Sequence, residues 1–264
     1  MLILSNIDRT FNKATVNEKK ALVDISLRLD PGDFVTVIGG NGAGKSTLLN
    51  LIAGVHRCDR GSVALDGEDI THLPEYRRAK YLGRVFQDPM RGTAGDMNID
   101  ENLAMAKRRG SVRTLRWGIS RAEREEYREK LGTLGLGLED RLGTKVGLLS
   151  GGQRQALTLI MATLKKPKLL LLDEHTAALD PKTAEIVLRQ TNEIVSGKGL
   201  TTLMVTHNMS HAIKYGNRII MMNGGKILFD ISGGEKKNLK VEDLLERFKV
   251  SQGQELDNDR MLLA

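Results

Sequence analysis

The stretch Gly39-Gly40-Asn41-Gly42-Ala43-Gly44-Lys45-Ser46-Thr47 follows an apolar run, Phe34 to Ile38, and opens a helix-like run that ends near Gly54. It satisfies the Gly-x4-Gly-Lys-Ser pattern in the strand-loop-helix setting that the pattern's chemistry requires. Glycines let successive backbone N–H groups turn inward around the β- and γ-phosphates of a nucleotide, and the helix beginning near Gly44 adds its positive dipole end. Lys45 reaches the terminal phosphates as a point charge. Ser46 offers a hydroxyl to a magnesium ion bridging them, so the loop implies a Mg-nucleotide. A glycine-rich turn that merely joins strand to helix is the competing reading. The length and setting of the motif argue against it, but the loop does not choose ATP over GTP.

Working outward, Leu82 to Phe86, Lys168 to Asp173, Leu200 to Thr206 and Arg218 to Met222 are further apolar, strand-sized runs separated by helix-like segments. That alternation predicts an α/β fold with a mainly parallel sheet. The run Leu169-Leu170-Leu171-Leu172 ends in Asp173-Glu174, which puts two acids at the carboxyl edge of the sheet, where ligands of such folds sit. Asp173 is the natural magnesium partner. Glu174, near the metal but not spent on it, is suited to polarise a water as general base. Acids at a strand end are as often plain turn residues, and it is the phosphate loop upstream that favours chemistry.

Between Asp88 and Lys165 the strand signal disappears, and Ser120-Arg121-Ala122-Glu123 reads as a capping box ahead of a charged helix. This predicts a helical subdomain, 88–165, inserted in an α/β core made of 1–87 and 166–264. The polar tail after Gly233 carries one amphipathic stretch, Val241 to Phe248.

Leu149-Ser150-Gly151-Gly152-Gln153 opens a long helix running to Leu164. Ser150 can cap that helix and bond phosphate, while Gly151 and Gly152 bare backbone N–H groups. This pentapeptide, between the phosphate loop and the Asp-Glu strand, resembles the signature of ABC-transporter ATPases. The resemblance runs through most of the chain and implies a single ABC nucleotide-binding domain over 1–264. It would have a P-loop NTPase core of RecA type, an N-terminal antiparallel β-subdomain and the helical insertion. It also implies ATP with Mg²⁺ as cofactors, and a head-to-tail dimer in which the signature of one copy, Ser150, Gly151, Gly152 and Gln153, closes on ATP held by the other.

Further positions follow from the resemblance. Gln87, after Val85-Phe86, matches the Q-loop that senses the metal and γ-phosphate. His207, after Thr202-Leu203-Met204-Val205-Thr206, matches the switch histidine that orients the attacking water. Asp180 matches the D-loop that acts across the dimer, yet with Pro181 behind it Asp180 is equally suited to cap a helix. Phe11 stands where the family more often has a tyrosine stacked on adenine, and a core role fits it as well. His175 stands where many relatives have proline, and no role is assigned to it.

The chain has 264 residues, 40% of them hydrophobic, enough for one core with an inserted subdomain. No window holds the roughly 18 consecutive apolar residues of a membrane span, and no secretory signal is readable. A single cysteine, Cys58, fits a reducing compartment. The net charge of +7 asks for an acidic partner, but an aromatic content of 4% disfavours nucleic acid held by base stacking. The expected partners are a second copy of the chain, separate transmembrane permease subunits and, for an importer, a solute-binding protein. The expected location is the cytoplasmic face of the membrane.

The style of Arg84-Val85-Phe86-Gln87-Asp88-Pro89 and Asp173-Glu174-His175-Thr176 resembles ATPases of importers for amino acids or similar small solutes. An export or lipoprotein-release ATPase, or a non-transport ABC ATPase acting on ribosomes or DNA, is the alternative. Lys107-Arg108-Arg109, Arg113, Arg116 and Arg121 form a basic stretch that suits a permease- or membrane-facing surface or, more simply, a solvated helical face.

Overall fold

A computed structural model describes residues 1–111 and 118–252, the last four of these by backbone alone. In chain order the first elements are β1 (Leu2–Phe11), β2 (Lys19–Leu29), β3 (Phe34–Ile38), α1 (Lys45–Ala53), β4 (Arg60–Leu65), β5 (Glu68–Asp69) and α2 (Glu75–Arg78). Next come β6 (Leu82–Val85), α3 (Ile99–Lys107), α4 (Arg121–Gly132), α5 (Gly151–Leu164), β7 (Leu169–Asp173) and α6 (Pro181–Lys198). The chain continues through β8 (Thr202–Val205), α7 (Met209–Lys214), β9 (Arg218–Asn223), β10 (Lys226–Ser232), α8 (Gly233–Lys237) and α9 (Val241–Gln252).

The chain divides into two compact units, Met1–Arg78 with Thr201–Ala264, and Ala79–Leu200. The expected helical subdomain, 88–165, falls inside the second. In the first unit an antiparallel sheet of order β2-β1-β4-β5 carries the N-terminal strands. Beside it, β3 lies parallel to both β8 and β9, with β10 antiparallel to β9. Every residue of β3 is buried, the signature of an inner parallel strand covered on both faces. Its register pairs Val37 with Val205 on one side and with Ile220 on the other, so the phosphate loop leaves the centre of the sheet.

The second unit holds the parallel pair β6 and β7, Val85 opposite Leu172, and a helical core. Ile99, Leu103, Tyr127, Leu131, Leu157 and Ile160 of α3, α4 and α5 pack together fully or almost fully buried. Three N-caps read from sequence are present. Ser120 accepts from the Glu123 N–H with the reciprocal Glu123 bond to the Ser120 N–H. Ser150 does the same with Gln153, and Asp180 accepts from Thr183 ahead of Pro181.

The basic stretch resolves into internal bonds. Lys107 pairs with Glu126 at 2.6 Å and Arg108 with Glu123 at 3.3 Å, while Arg109 turns onto carbonyl groups of Ala162 and Lys165. Arg121 is exposed at the start of α4, and Arg113 and Arg116 lie outside the described residues. The tail adds α8 as well as the expected amphipathic helix, whose Leu244 and Phe248 pack on Ile219 and Met221.

Lys236 of α8 is 5% exposed and donates to the carbonyls of Tyr215 and Gly216, at 2.5 and 2.8 Å, where α7 ends. Burial pushes its ammonium down to about 8. Between that value and the ordinary lysine value the unfolded chain holds a proton that the folded chain has shed, so this group's contribution to stability rises with pH across that window. Unfolding by urea at pH 7.5 and pH 9.5 checks this. Lys236→Met is expected to remove on the order of 1–2 kcal/mol of the pH-dependent gain seen in the parent chain.

Candidate nucleotide site

In the first unit the loop from Gly39 to Gly44 joins β3 to α1. Its backbone has φ of 149° at Gly39 and 101° at Gly44, conformations that L side chains rarely adopt. Space forbids a side chain as well: a Cβ on Gly39 would overlap the Met222 carbonyl oxygen, and one on Gly44 would lie 2.6 Å from the Ala21 carbonyl oxygen. The loop is held from outside by the Gly225 N–H donating to Ala43 at 3.1 Å and by Val23 donating to Gly225 at 2.9 Å. Lys45, 6% exposed, donates to the Gly39 and Gly40 carbonyls at 2.7 and 3.2 Å, which keeps its ammonium over the loop. Asn41, Gly42 and Ser46 are exposed, and Thr47 is half-buried.

His207 follows β8 in the same unit, on the loop into α7. The Thr206 N–H donates to Val37 at 3.1 Å and Asn208 caps α7 by accepting from His211 at 3.0 Å, so both neighbours of the histidine are fixed. Phe11 ends β1 with its ring T-shaped to that of His56, the centroids 5.1 Å apart, and the Arg9 guanidinium 4.7 Å over one ring face.

In the second unit, β7 delivers Asp173 and Glu174. Arg84, on the neighbouring β6, approaches the Asp173 carboxylate at 3.8 Å and stacks over the Phe86 ring at 4.5 Å. Glu174 adopts a φ of 43°, the left-handed region that costs a non-glycine residue energy and that persists only where surrounding structure dictates it. The next residue, His175, is 2% exposed and bonded to the Thr191 hydroxyl at 3.1 Å. It is a core histidine anchoring the strand end to α6.

Gln87 is exposed just beyond β6. Two residues of α5 tie this segment to the signature, and sequence reasoning passed over both. Gln155, 1% exposed, donates to the Phe86 carbonyl at 3.1 Å. Arg154 donates to the carbonyls of Val146, Gly147 and Leu149 and meets the Met90 sulfur at 2.7 Å. A polar residue in the buried face of an apolar helix, Gln155 beside Ala156 and Leu157, was the available signal. Asp180 and the signature are also linked: Gly152 packs so closely on Thr183 that a Cβ would overlap the Thr183 methyl. The bonds from Thr183 hold the Asp180 carboxyl below its ordinary value.

These groups suit Mg-ATP. Backbone N–H groups in a glycine-rich loop and the start of a nine-residue helix suit phosphate. Ser46, Gln87 and Asp173 are oxygen donors of the kind a hard cation takes. Among the described residues no cluster of three or more His, Cys, Asp or Glu could hold a metal ion.

The family model described as ABC transporter matches residues 22–177, more than half of the chain. The chain belongs to the ABC transporter family. A tyrosine transport ATP-binding protein of Clostridioides difficile is 45% identical to this cassette over 251 residues, covering 95% of this chain and 100% of that one. A phosphonates import ATP-binding protein of Treponema denticola is 34% identical, covering 87% and 89%. A dimeric post-hydrolysis ATP-binding cassette bound to ADP and phosphate superposes with a TM-score of 0.75 at 28% identity, covering 88% of this chain and 98% of that one. As an ABC ATP-binding subunit, the chain belongs to a family whose members bind and hydrolyse ATP.

The Gly152 contact yields a direct test. Gly152→Ala is expected to cost about 1–3 kcal/mol through overpacking, and Thr183→Ser in the same chain, by removing the methyl, to return most of it. Thermal unfolding of the two single variants and the double variant reads the coupling.

Proposed function

We propose that this cassette is the ATP-driven subunit of an importer for an amino acid or a similar small solute, acting as a head-to-tail dimer beneath separate permease subunits at the cytoplasmic face of the membrane. The observation that carries the reading of transport of an amino acid is the end-to-end similarity to a tyrosine transport ATP-binding protein at 45% identity. The import direction is supported by relatives named as phosphonates and spermidine/putrescine import ATP-binding proteins. Among the described residues no helix is long and apolar enough to cross a membrane. Met90 and Leu148, 47% and 73% exposed, flank the Gly95–Gly147 backbone contact in the second unit and offer apolar footing for a permease subunit.

In this reading each residue has a role. The loop from Gly39 to Thr47 binds the phosphates through its N–H groups, Lys45 holds the terminal phosphates, and Phe11 stacks on adenine. Magnesium, held by Ser46, Asp173 and Gln87, supplies neutralisation of the phosphate charge when bound. Glu174 accepts the proton of the attacking water and His207 orients that water and the γ-phosphate. Ser150, Gly151, Gly152 and Gln153 present the start of α5 to ATP bound by the partner copy, and Asp180 acts across the same dimer. Catalysis is then mostly positioning and electrostatic stabilisation, as phosphoryl transfer requires.

Glu174→Gln is expected to keep ATP binding, abolish turnover and trap a nucleotide-bound dimer, read by equilibrium binding, phosphate release and sedimentation. Undiminished hydrolysis removes Glu174 from the base role. Lys45→Ala is expected to lose nucleotide affinity, and retained tight binding counts against the cradle. Mass spectrometry of what co-purifies with the tagged chain from gently solubilised membranes tests transport itself. A multi-span permease with a solute-binding protein supports import, a permease alone with an export-type partner overturns import, and ribosomes or DNA overturn transport.

A further inference from the structure

The two helices whose starts serve phosphate in the proposed function end on arginines, Arg78 buried and Arg109 half-buried, that the chemistry described above does not use. At the end of α1, Arg78 is 2% exposed and donates to Leu51 and Ile52 at 2.8 and 2.9 Å, and also to Thr71 and Leu73, both at 2.8 Å. At the end of α5, Arg109 donates to Ala162 and Lys165 at 3.3 and 3.2 Å, while Lys198 donates to Thr163 at 3.0 Å. Desolvation weakens the hold of both guanidinium groups on their protons, yet neither forms an ion pair with a carboxylate among the described residues. Their partners are backbone carbonyls.

A cation drawn partly or wholly out of water without a carboxylate is costly, and terminal helix carbonyls are the groups that offset it best, because they carry the negative end of the helix dipole. The arrangement also has a mechanical side. The Arg78 guanidinium bridges the last turn of α1 to the segment from Thr71 to Leu73, and Arg109 bridges the last turn of α5 to the end of α3. Each helix is pinned at the end remote from phosphate, so its first turn is aimed from behind. The nine residues of α1 span about 13 Å and the fourteen of α5 about 21 Å. At that range a poorly screened positive charge still acts on a phosphate by an amount that corresponds to a roughly three- to tenfold change in affinity.

From this geometry we infer that Arg78 and Arg109 are positioning residues of the ATPase, Arg78 fixing the phosphate loop's helix for nucleotide bound in the same copy and Arg109 fixing the signature helix for nucleotide bound by the partner copy. The inference rests on the proposed assignment of the starts of α1 and α5 to phosphate. It separates two roles that a general structural function would leave together.

The test uses the full chain carrying Glu174→Gln, in which ATP is expected to bind without turnover. Two constants are measured with Mg-ATP, the nucleotide affinity at low protein concentration and the dimer affinity at saturating ATP, in variants whose circular dichroism is native. Arg78→Met is expected to weaken nucleotide binding three- to tenfold and leave the saturated dimer constant within twofold. Arg109→Met is expected to show the reverse, and Arg78→Lys and Arg109→Lys to recover part of each loss. Lowered melting temperatures with both constants unchanged, or both constants shifted alike in both variants, overturn the inference. Should a methionine variant fail to fold, the lysine variant of the same position carries the same comparison, and absence of the split in it overturns the inference equally. Lys45→Ala serves as the control. If it binds ATP like the parent, the proposed nucleotide site fails, whereas if it loses ATP while the split is missing, only the positioning role fails.

Discussion

The structure depends on one steric constraint: the backbone between β3 and α1 must turn with no side chain in its way. Carbonyl oxygens of Met222 and Ala21 occupy the space that Cβ atoms on Gly39 and Gly44 would need. Both carbonyls belong to elements distant in sequence, one on β9 and one on β2. The inner strand register and the attachment of the antiparallel sheet therefore combine to shape a loop of a few residues. Only where those elements close on glycine can the N–H groups of the loop converge on an anion.

A second constraint acts in the other unit. There the acidic strand end, the segment after β6 and the signature are tied by short bonds through α5 and α6. Gln155 reaches the Phe86 carbonyl, Arg154 gathers the carbonyls ahead of Ser150, and His175 bonds to Thr191. Residues assigned to chemistry are thus carried by residues assigned to none. Glu174, in a left-handed conformation after a strand whose four leucines are buried, shows the result: its backbone is dictated by neighbours, and its side chain inherits a direction.

Much of this was legible in the sequence because it is local. The phosphate loop lies between a wholly apolar strand and a helix bounded by glycines, and the caps at Ser120, Ser150 and Asp180 obey rules that span four residues. What stayed hidden is what the chain brings together from afar. The Arg109 bonds to α5, the Gly152 contact with Thr183 and the burial of Lys236 join segments more than 20 residues apart, and composition carries no trace of them. The basic stretch illustrates the limit well. Lys107, Arg108 and Arg109 read as one charged patch, yet two are neutralised by α4 and the third caps α5.

The Gly152 contact also says something about mechanics. Two helices that meet through side chains can slide past each other by exchanging rotamers, like surfaces with a compliant layer between them. Where the Thr183 methyl fills the place of a missing side chain on α5, that layer is gone and the meeting behaves as a tooth seated in a notch. The signature at the start of α5 and the aspartate at the start of α6 are therefore geared together, and a displacement received by either one is passed to the other without slack.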